Sequence, residues 1–218
     1  KMASEYSVSL DEEALEAVAD EYNDYISAYG GEKQLDVYLN RYGINGKDLT
    51  DYLKMKQMIN VLQTKLCAKG GLCEVKDADV YRSIEKEYVK AKHIYFLNSK
   101  YDNKALDKAN ELLAQIKNGE KKYEDFASLS DDNSTKDYPN GFLVNLDETE
   151  ERYAELLSKL SVGECGVCEA EGGAYIVTKV EMTEEDKKTR YDAVWKEIAD
   201  KQFSEVFANR YDQVELNA

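Results

Sequence analysis

The feature that most constrains this chain is a change of hydrophobic period at Val89. Upstream, apolar residues recur every third or fourth position; from Val89 they alternate, and beyond Glu181 the helical spacing returns. In "VKAKHIYF", Val89, Ala91, His93 and Tyr95 share one face of an extended strand, while Lys90, Lys92, Ile94 and Phe96 share the other, which turns apolar as it enters a core. One strand needs partners. The spacing therefore predicts an α+β region, 89–182, inserted between helical segments at 1–88 and 183–218 that together form one helical lobe.

The helical segments carry their own punctuation. "SLDEEALEAVADEYNDYISAYGG" opens with a capping box of Ser9 and Glu12, places Leu15, Val18, Tyr22 and Tyr25 at helical spacing, and stops at Gly30-Gly31. "EKQLDVYLNRYGI" repeats the design with Leu35, Tyr38 and Leu39. "KDLTDYLKMKQMINVLQTKL" puts Leu49, Tyr52, Leu53, Ile59, Leu62 and Leu66 on one broad stripe, and a further helix runs from Asp77 to Tyr88. Within the inserted region the pattern reads strand, helix (Leu106, Ala109, Leu112, Leu113, Ile116), short helix, a loop with the single proline, Pro139, a helix in "EERYAELLSKL", and a final strand, "AYIVTKV". Thr183 and Asp186 then start a long helix carrying Val194, Trp195, Ile198, Phe203 and Phe207.

With 218 residues and 43% hydrophobic content the chain has enough apolar mass for real cores. A formal charge of −15 opposes nucleic acid and anionic lipid as partners. No run approaches the length of a membrane span, and no basic-then-apolar signal region opens the chain at Lys1, so an export signal is expected to be absent or already removed. Four cysteines form two local pairs. Cys67 and Cys73 flank "AKGGL" at a helix end, where a turn brings them within reach of a disulfide; reduced, packed thiols are the alternative. Cys165 and Cys168 lie between a glycine turn and a strand, away from the helix N-terminus that redox catalysis uses.

The element order from 89 to 182 resembles a parvulin-type peptidyl-prolyl isomerase domain. "VKAKHIYF" matches the family's first strand, "NGEKKYEDFASLSDD" its glycine-aromatic-alanine-serine segment, "LSKLSVGE" its leucine-then-Gly-Glu turn, and "GGAYIVTKV" its last strand. The flanking helices, with "YLNRYGINGKDLTDYLKMKQMI" before the domain and one long helix after it, resemble the arrangement of PrsA and SurA foldases. The resemblance implies a small antiparallel sheet with helices, set in an all-helical chaperone lobe.

It also implies a chemistry that needs no nucleophile, metal or cofactor. Rotation about a prolyl peptide bond crosses a barrier of roughly 18–20 kcal/mol, and a site accelerates it by binding the twisted amide better than the planar one. By position, the resemblance gives His93 as the first-strand histidine, Asp132 as the family's Cys or Asp, and Tyr153 as the aromatic wall of a proline pocket that Phe142 and Leu143 complete. Tyr175 stands where the family has a second histidine and is expected to hydrogen-bond His93 across adjacent strands. The glycine-rich loop is reduced to "PNGFLV" with Gly141, and the pocket methionine is replaced near Thr149.

Two functions follow. One is an extracytoplasmic foldase isomerising Xaa-Pro bonds in exported clients; the other is a degenerate parvulin acting as a holdase for unfolded chains. The partners are client polypeptides, a homodimer is allowed, and PrsA-like relatives carry an export signal or a lipid anchor upstream, so membrane anchoring through an upstream lipidated segment is allowed as well. Seventeen tyrosines, rings with polar tips, suit partly wet, promiscuous surfaces.

Overall fold

The computed structural model describes residues 2–211, so 212–218, the end of the last expected segment, lies outside the described residues. The chain divides into two compact units: Lys1–Lys76 with the segment from Trp195 onward, and Asp77–Val194. The second interrupts the first.

The first unit is helical. It contains α1 (Met2–Glu5), α2 (Glu12–Ala28), α3 (Glu32–Asn40) and α4 (Gly46–Cys67). Val18, Leu35, Leu39, Leu49 and Leu53 form its core, with Tyr22, Tyr25, Tyr29 and Tyr38 packed around them. The expected Ser9–Glu12 cap is corrected: Asp11 is the N-cap of α2, and its carboxylate accepts from the Ala14 amide at 2.9 Å. A charged oxygen two residues nearer the helix meets the free amides and the positive helix end together. Asn45 and Asp48 close a capping box on α4. Of the stripe expected on α4, Leu49, Leu53, Leu62 and Leu66 are buried, but Tyr52 and Ile59 are exposed.

The second unit runs α5 (Asp77–Glu87), β1 (Tyr88–Leu97), α6 (Ala105–Lys117), a 3₁₀ helix (Tyr123–Leu129), α7 (Ser134–Asp137), β2 (Phe142–Asn145), α8 (Glu151–Lys159), β3 (Cys165–Ala170), β4 (Gly173–Val180) and the start of α9 (Glu184–Tyr211). Its four strands form an antiparallel sheet ordered β2-β1-β4-β3. Ile94, Phe96, Ala174 and Ile176 on one face pack under α6 through Ala105, Ala109, Leu112 and Leu113. Ala91, Val144, Cys168 and Val177 on the other meet Tyr153 and Leu157 of α8.

Two strands were not expected. β2 has four residues and follows a proline loop, too short to show alternation, and "CGVCEA" of β3 carries a glycine where a strand former is usual. Pairing with β1 and β4 makes them strands. Cys165 and Cys168 thus lie within β3, three residues apart and on opposite faces.

The sequence placed the domain edges at 88/89 and 182/183, whereas α5 and the first turns of α9 group with the sheet. Side chains explain this. Buried Lys90 on β1 reaches both carboxylate oxygens of Asp186 at 2.9 and 2.7 Å. Lys187 reaches Glu85 at 2.7 Å, and the Tyr191 hydroxyl donates to Asp77 at 2.5 Å. Asp186 also accepts from the Thr183 amide at 2.8 Å, so one carboxylate caps α9 and ties it to the central strand. Burial opposes its charge, but hydrogen bonds from Lys90 and Thr183 outweigh that and hold the carboxyl below its usual range. Asp186→Asn, which leaves the Lys90 ammonium buried and unpaired, is expected to destabilise this unit by about 2–3 kcal/mol. Adding Lys90→Met should return part of the loss. Amide hydrogen exchange of β1 and β4 measures both; unchanged protection in Asp186→Asn would show the pair to be idle.

Candidate active site

The face of the sheet under α8 carries one polar constellation, centred on the single histidine. Register places it. Tyr95 on β1 sits opposite Tyr175 on β4, and His93 lies opposite Val177, so His93, Tyr95 and Tyr175 emerge on the same side. Ala91 pairs with Phe142 of β2, which brings the Phe142 ring edge-on to His93 at 5.2 Å between centroids. Gly141 makes this possible: its φ of +89° is open to glycine, and a Cβ there would lie 2.8 Å from the Ala91 carbonyl oxygen.

His93 is held at both ring nitrogens. Nε2 lies 2.8 Å from Asp132 Oδ2, and Nδ1 lies 2.9 Å from the Tyr153 hydroxyl. Asp132 is itself fixed: its Oδ1 accepts from the Ser130 and Ser134 hydroxyls, each at 2.7 Å, and from the Ser134 amide at 3.2 Å. Burial works against the Asp132 charge, but the hydrogen bonds from Ser134, Ser130 and His93 prevail and hold its carboxyl below the ordinary range. Burial pushes His93 down, against the smaller upward pull of Asp132. The imidazole is therefore neutral at pH 7, and the contact is a hydrogen bond to a carboxylate rather than an ion pair. An ionised carboxylate only accepts, so Nε2 carries the proton, Nδ1 accepts, and Tyr153 donates.

Around this relay lies a cavity of about 340 Å³ walled by Phe142, Leu143, Thr149, Tyr153 and Tyr175, with Glu148 and Glu150 on its rim. The residues expected from sequence, His93, Asp132, Tyr153, Tyr175, Phe142 and Leu143, all gather here, Asp132 holding His93 from behind rather than lining the wall. One expectation is corrected. Among the described residues no hydrogen bond joins Tyr175 to His93; their rings stack, tilted, at 4.7 Å. Tyr175 faces Tyr95 across the strands, two positions along from His93, and α8 delivers the Tyr153 hydroxyl to the nitrogen instead. Ser130 and Ser134 went unrecognised in the sequence, although serines two residues either side of an aspartate are a common local clamp. Tyr95 and Tyr138 were missed as well; with Phe142, His93 and Tyr175 they make a continuous row of rings at 4.7–5.6 Å spacing.

A sequence model of the PPIC-type PPIase domain matches residues 79–187. The chain belongs to the PPIC-type peptidyl-prolyl isomerase family. The matched span contains every residue of this parvulin-type site. Among solved structures, the peptidylprolyl isomerase PrsA from Bacillus anthracis is 17% identical, with 100% of this chain and 95% of that chain covered and a TM-score of 0.40. The foldase protein PrsA from Streptococcus pneumoniae is 19% identical, with 100% and 82% covered and a TM-score of 0.48. A chain from a study of the SurA-like chaperones PEB4 and Cj1289 of Campylobacter jejuni is 18% identical, with 96% and 87% covered and a TM-score of 0.32. Comparison with curated proteins found no match.

Because His93 is the only histidine, its ring signals in NMR need no assignment. The parvulin-type site is expected to show the Nε2-protonated form at pH 7 and a titration midpoint below 6.5. Asp132→Ala removes the group that raises the midpoint and should lower it further. Between that midpoint and about 6.5 the unfolded chain binds the proton and the folded chain does not, so the His93 contribution to stability is full above about 6.5 and declines as pH falls through that window. A midpoint above 6.5 would contradict a buried, neutral imidazole.

Proposed function

We propose that this chain is an extracytoplasmic foldase whose parvulin-type domain isomerises Xaa-Pro bonds in client polypeptides. The observation that carries the reading is His93 fixed between Asp132 and Tyr153 on the wall of an aromatic cavity. Twisting a prolyl amide ends its resonance, draws negative charge off the carbonyl oxygen and leaves a lone pair on nitrogen. A site that favours the twisted form should desolvate the carbonyl and offer it no cation. The cavity fits this: Phe142, Leu143 and Tyr153 are its apolar walls, and neither lysine nor arginine lines it. The relay keeps the polar wall neutral and rigid, so little reorganisation accompanies rotation. Location rests on the sequence resemblance of the flanking helices; among the described residues no helix is long and apolar enough to cross a membrane.

One observation favours a second reading, a holdase without turnover. Tyr175 replaces the family's second histidine, and burial, with Tyr95, Asp132 and Glu150 nearby, pushes its hydroxyl up to about 12. It offers a neutral ring for binding where the family has a titratable one. Protease-free NMR exchange on Xaa-Pro peptides separates the readings. The native protein is expected to accelerate exchange. His93→Ala and Asp132→Ala should lower kcat/KM by roughly 5- to 150-fold, the loss of about 1–3 kcal/mol of hydrogen bonding. Tyr153→Phe, which keeps the wall and loses the donor, should act on kcat, whereas Tyr153→Ala should raise KM. Buffer-like rates with folded native protein, together with suppression of client aggregation, would leave only the holdase.

A further inference from the structure

Resting on the isomerase site just described, we propose that it selects prolines flanked by lysine or arginine, whose side chain lies along the Tyr95 and Tyr175 rings toward Glu150 and Glu148. Tyr95 and Tyr175 are adjacent, tilted rings 4.8 Å apart, a face on which an alkyl stem and a cationic head can rest. Glu148 and Glu150 stand at the cavity rim and, among the described residues, neither carboxylate has an ion-pair partner. Of the cations beside the site, Lys100 pairs with Asp131 at 2.7 Å and Arg152 with Glu169 at 2.5 Å, while Lys92 lines the neighbouring cavity rather than this one. The local field is negative at the rings themselves. After burial, Asp131, Asp132 and Glu150 raise the Tyr95 hydroxyl, and Tyr95, Asp132 and Glu150 raise that of Tyr175, with no cation acting the other way. The same carboxylates would stabilise a cation. A net charge of −15 steers basic segments toward this surface and acidic ones away.

The test uses acetyl- and amide-capped peptides with Lys, Arg, Leu or Glu on either side of one proline, read by NMR exchange for turnover and by chemical-shift titration for affinity. Basic peptides should exceed leucine peptides by about 5-fold, the scale of two solvent-exposed charge contacts, with glutamate peptides lowest. The preference should shrink at high salt and collapse toward unity in Glu148→Gln/Glu150→Gln. Equal values for the four peptides, or a preference that survives the double substitution, would overturn the proposal. If no peptide is turned over, the isomerase reading fails and the affinity order alone decides the selection.

In the helical unit, we propose further that Cys67 and Cys73 form a disulfide. Their sulfurs lie 2.9 Å apart in the core. Backbone hydrogen bonds hold the two segments together on both sides: the Cys73 amide donates to Leu66 at 3.0 Å and the Val75 amide to Cys67 at 2.9 Å. Cys165 and Cys168 cannot pair with each other, since Cys165 lies in the core under α6, beside Thr178, and Cys168 in the core under α8. In the reaction each thiol loses its proton, the sulfurs together give two electrons to an external disulfide such as oxidised glutathione, and that oxidant leaves as two thiols. Burial and the contact with Cys73 push the Cys67 thiol up to about 12, so exchange proceeds while the chain folds rather than afterwards. Protein refolded with oxidised and reduced glutathione should show two alkylatable thiols in denaturant, and trypsin should release 66–69 joined to 70–76. Reduction should lower the melting temperature of the helical unit by roughly 10 °C. Four alkylatable thiols after such refolding would overturn the assignment.

Discussion

The pairing of β1 with β4 is the constraint on which the rest depends. The two strands are matched from Lys90 opposite Val180 to Leu97 opposite Gly173. A slip of one residue would turn His93 and Tyr95 toward α6 and push Ile94 and Phe96 out under α8. That arrangement is expensive in both directions, because Ile94 and Phe96 are completely buried. Hydrophobic packing on one face thus fixes the chemistry of the other. The histidine is aimed by residues it never touches.

The polar network on that second face works by saturation. Each acceptor on Asp132 is matched by a serine hydroxyl, an amide or the imidazole, and each nitrogen of His93 is matched as well. Partly buried networks of this kind are stiff when complete and costly when one member is missing. The proposed isomerase site, which distinguishes two geometries of the same amide without making or breaking a bond, depends on such stiffness more than on reactivity.

Much of this was legible in the sequence, and the reasons are local. The period change at Val89 is a strong signal because both faces of β1 are patterned, and the positions of His93, Asp132 and Tyr153 follow from motif order along the chain. β2 and β3 were not legible: short strands owe their state to partners far away in sequence. The hydrogen bond from Tyr153 was invisible for a related reason. Spacing locates a residue on α8, but only the packing of α8 on the sheet decides whether its hydroxyl or that of Tyr175 reaches the imidazole. The Ser9 cap failed because Asp11 takes the Ala14 amide and so starts the helix two residues later than a cap at Ser9 would.

The ties at the base of the sheet unit have a consequence for how the polypeptide is assembled. The helical unit is encoded in two pieces, and its second piece emerges only after Val194. As an unfolded tether, the intervening stretch would burden the joining of those pieces with a closure entropy of roughly 4 kcal/mol. Once folded, it fastens its own entrance to its own exit, Asp77 to Tyr191 and Glu85 to Lys187, so the two strangers in sequence arrive as neighbours. The inserted domain is therefore a splint for the body that contains it, and the order of synthesis, with the insert complete before the rest of the last helix, is the order in which the splint is needed.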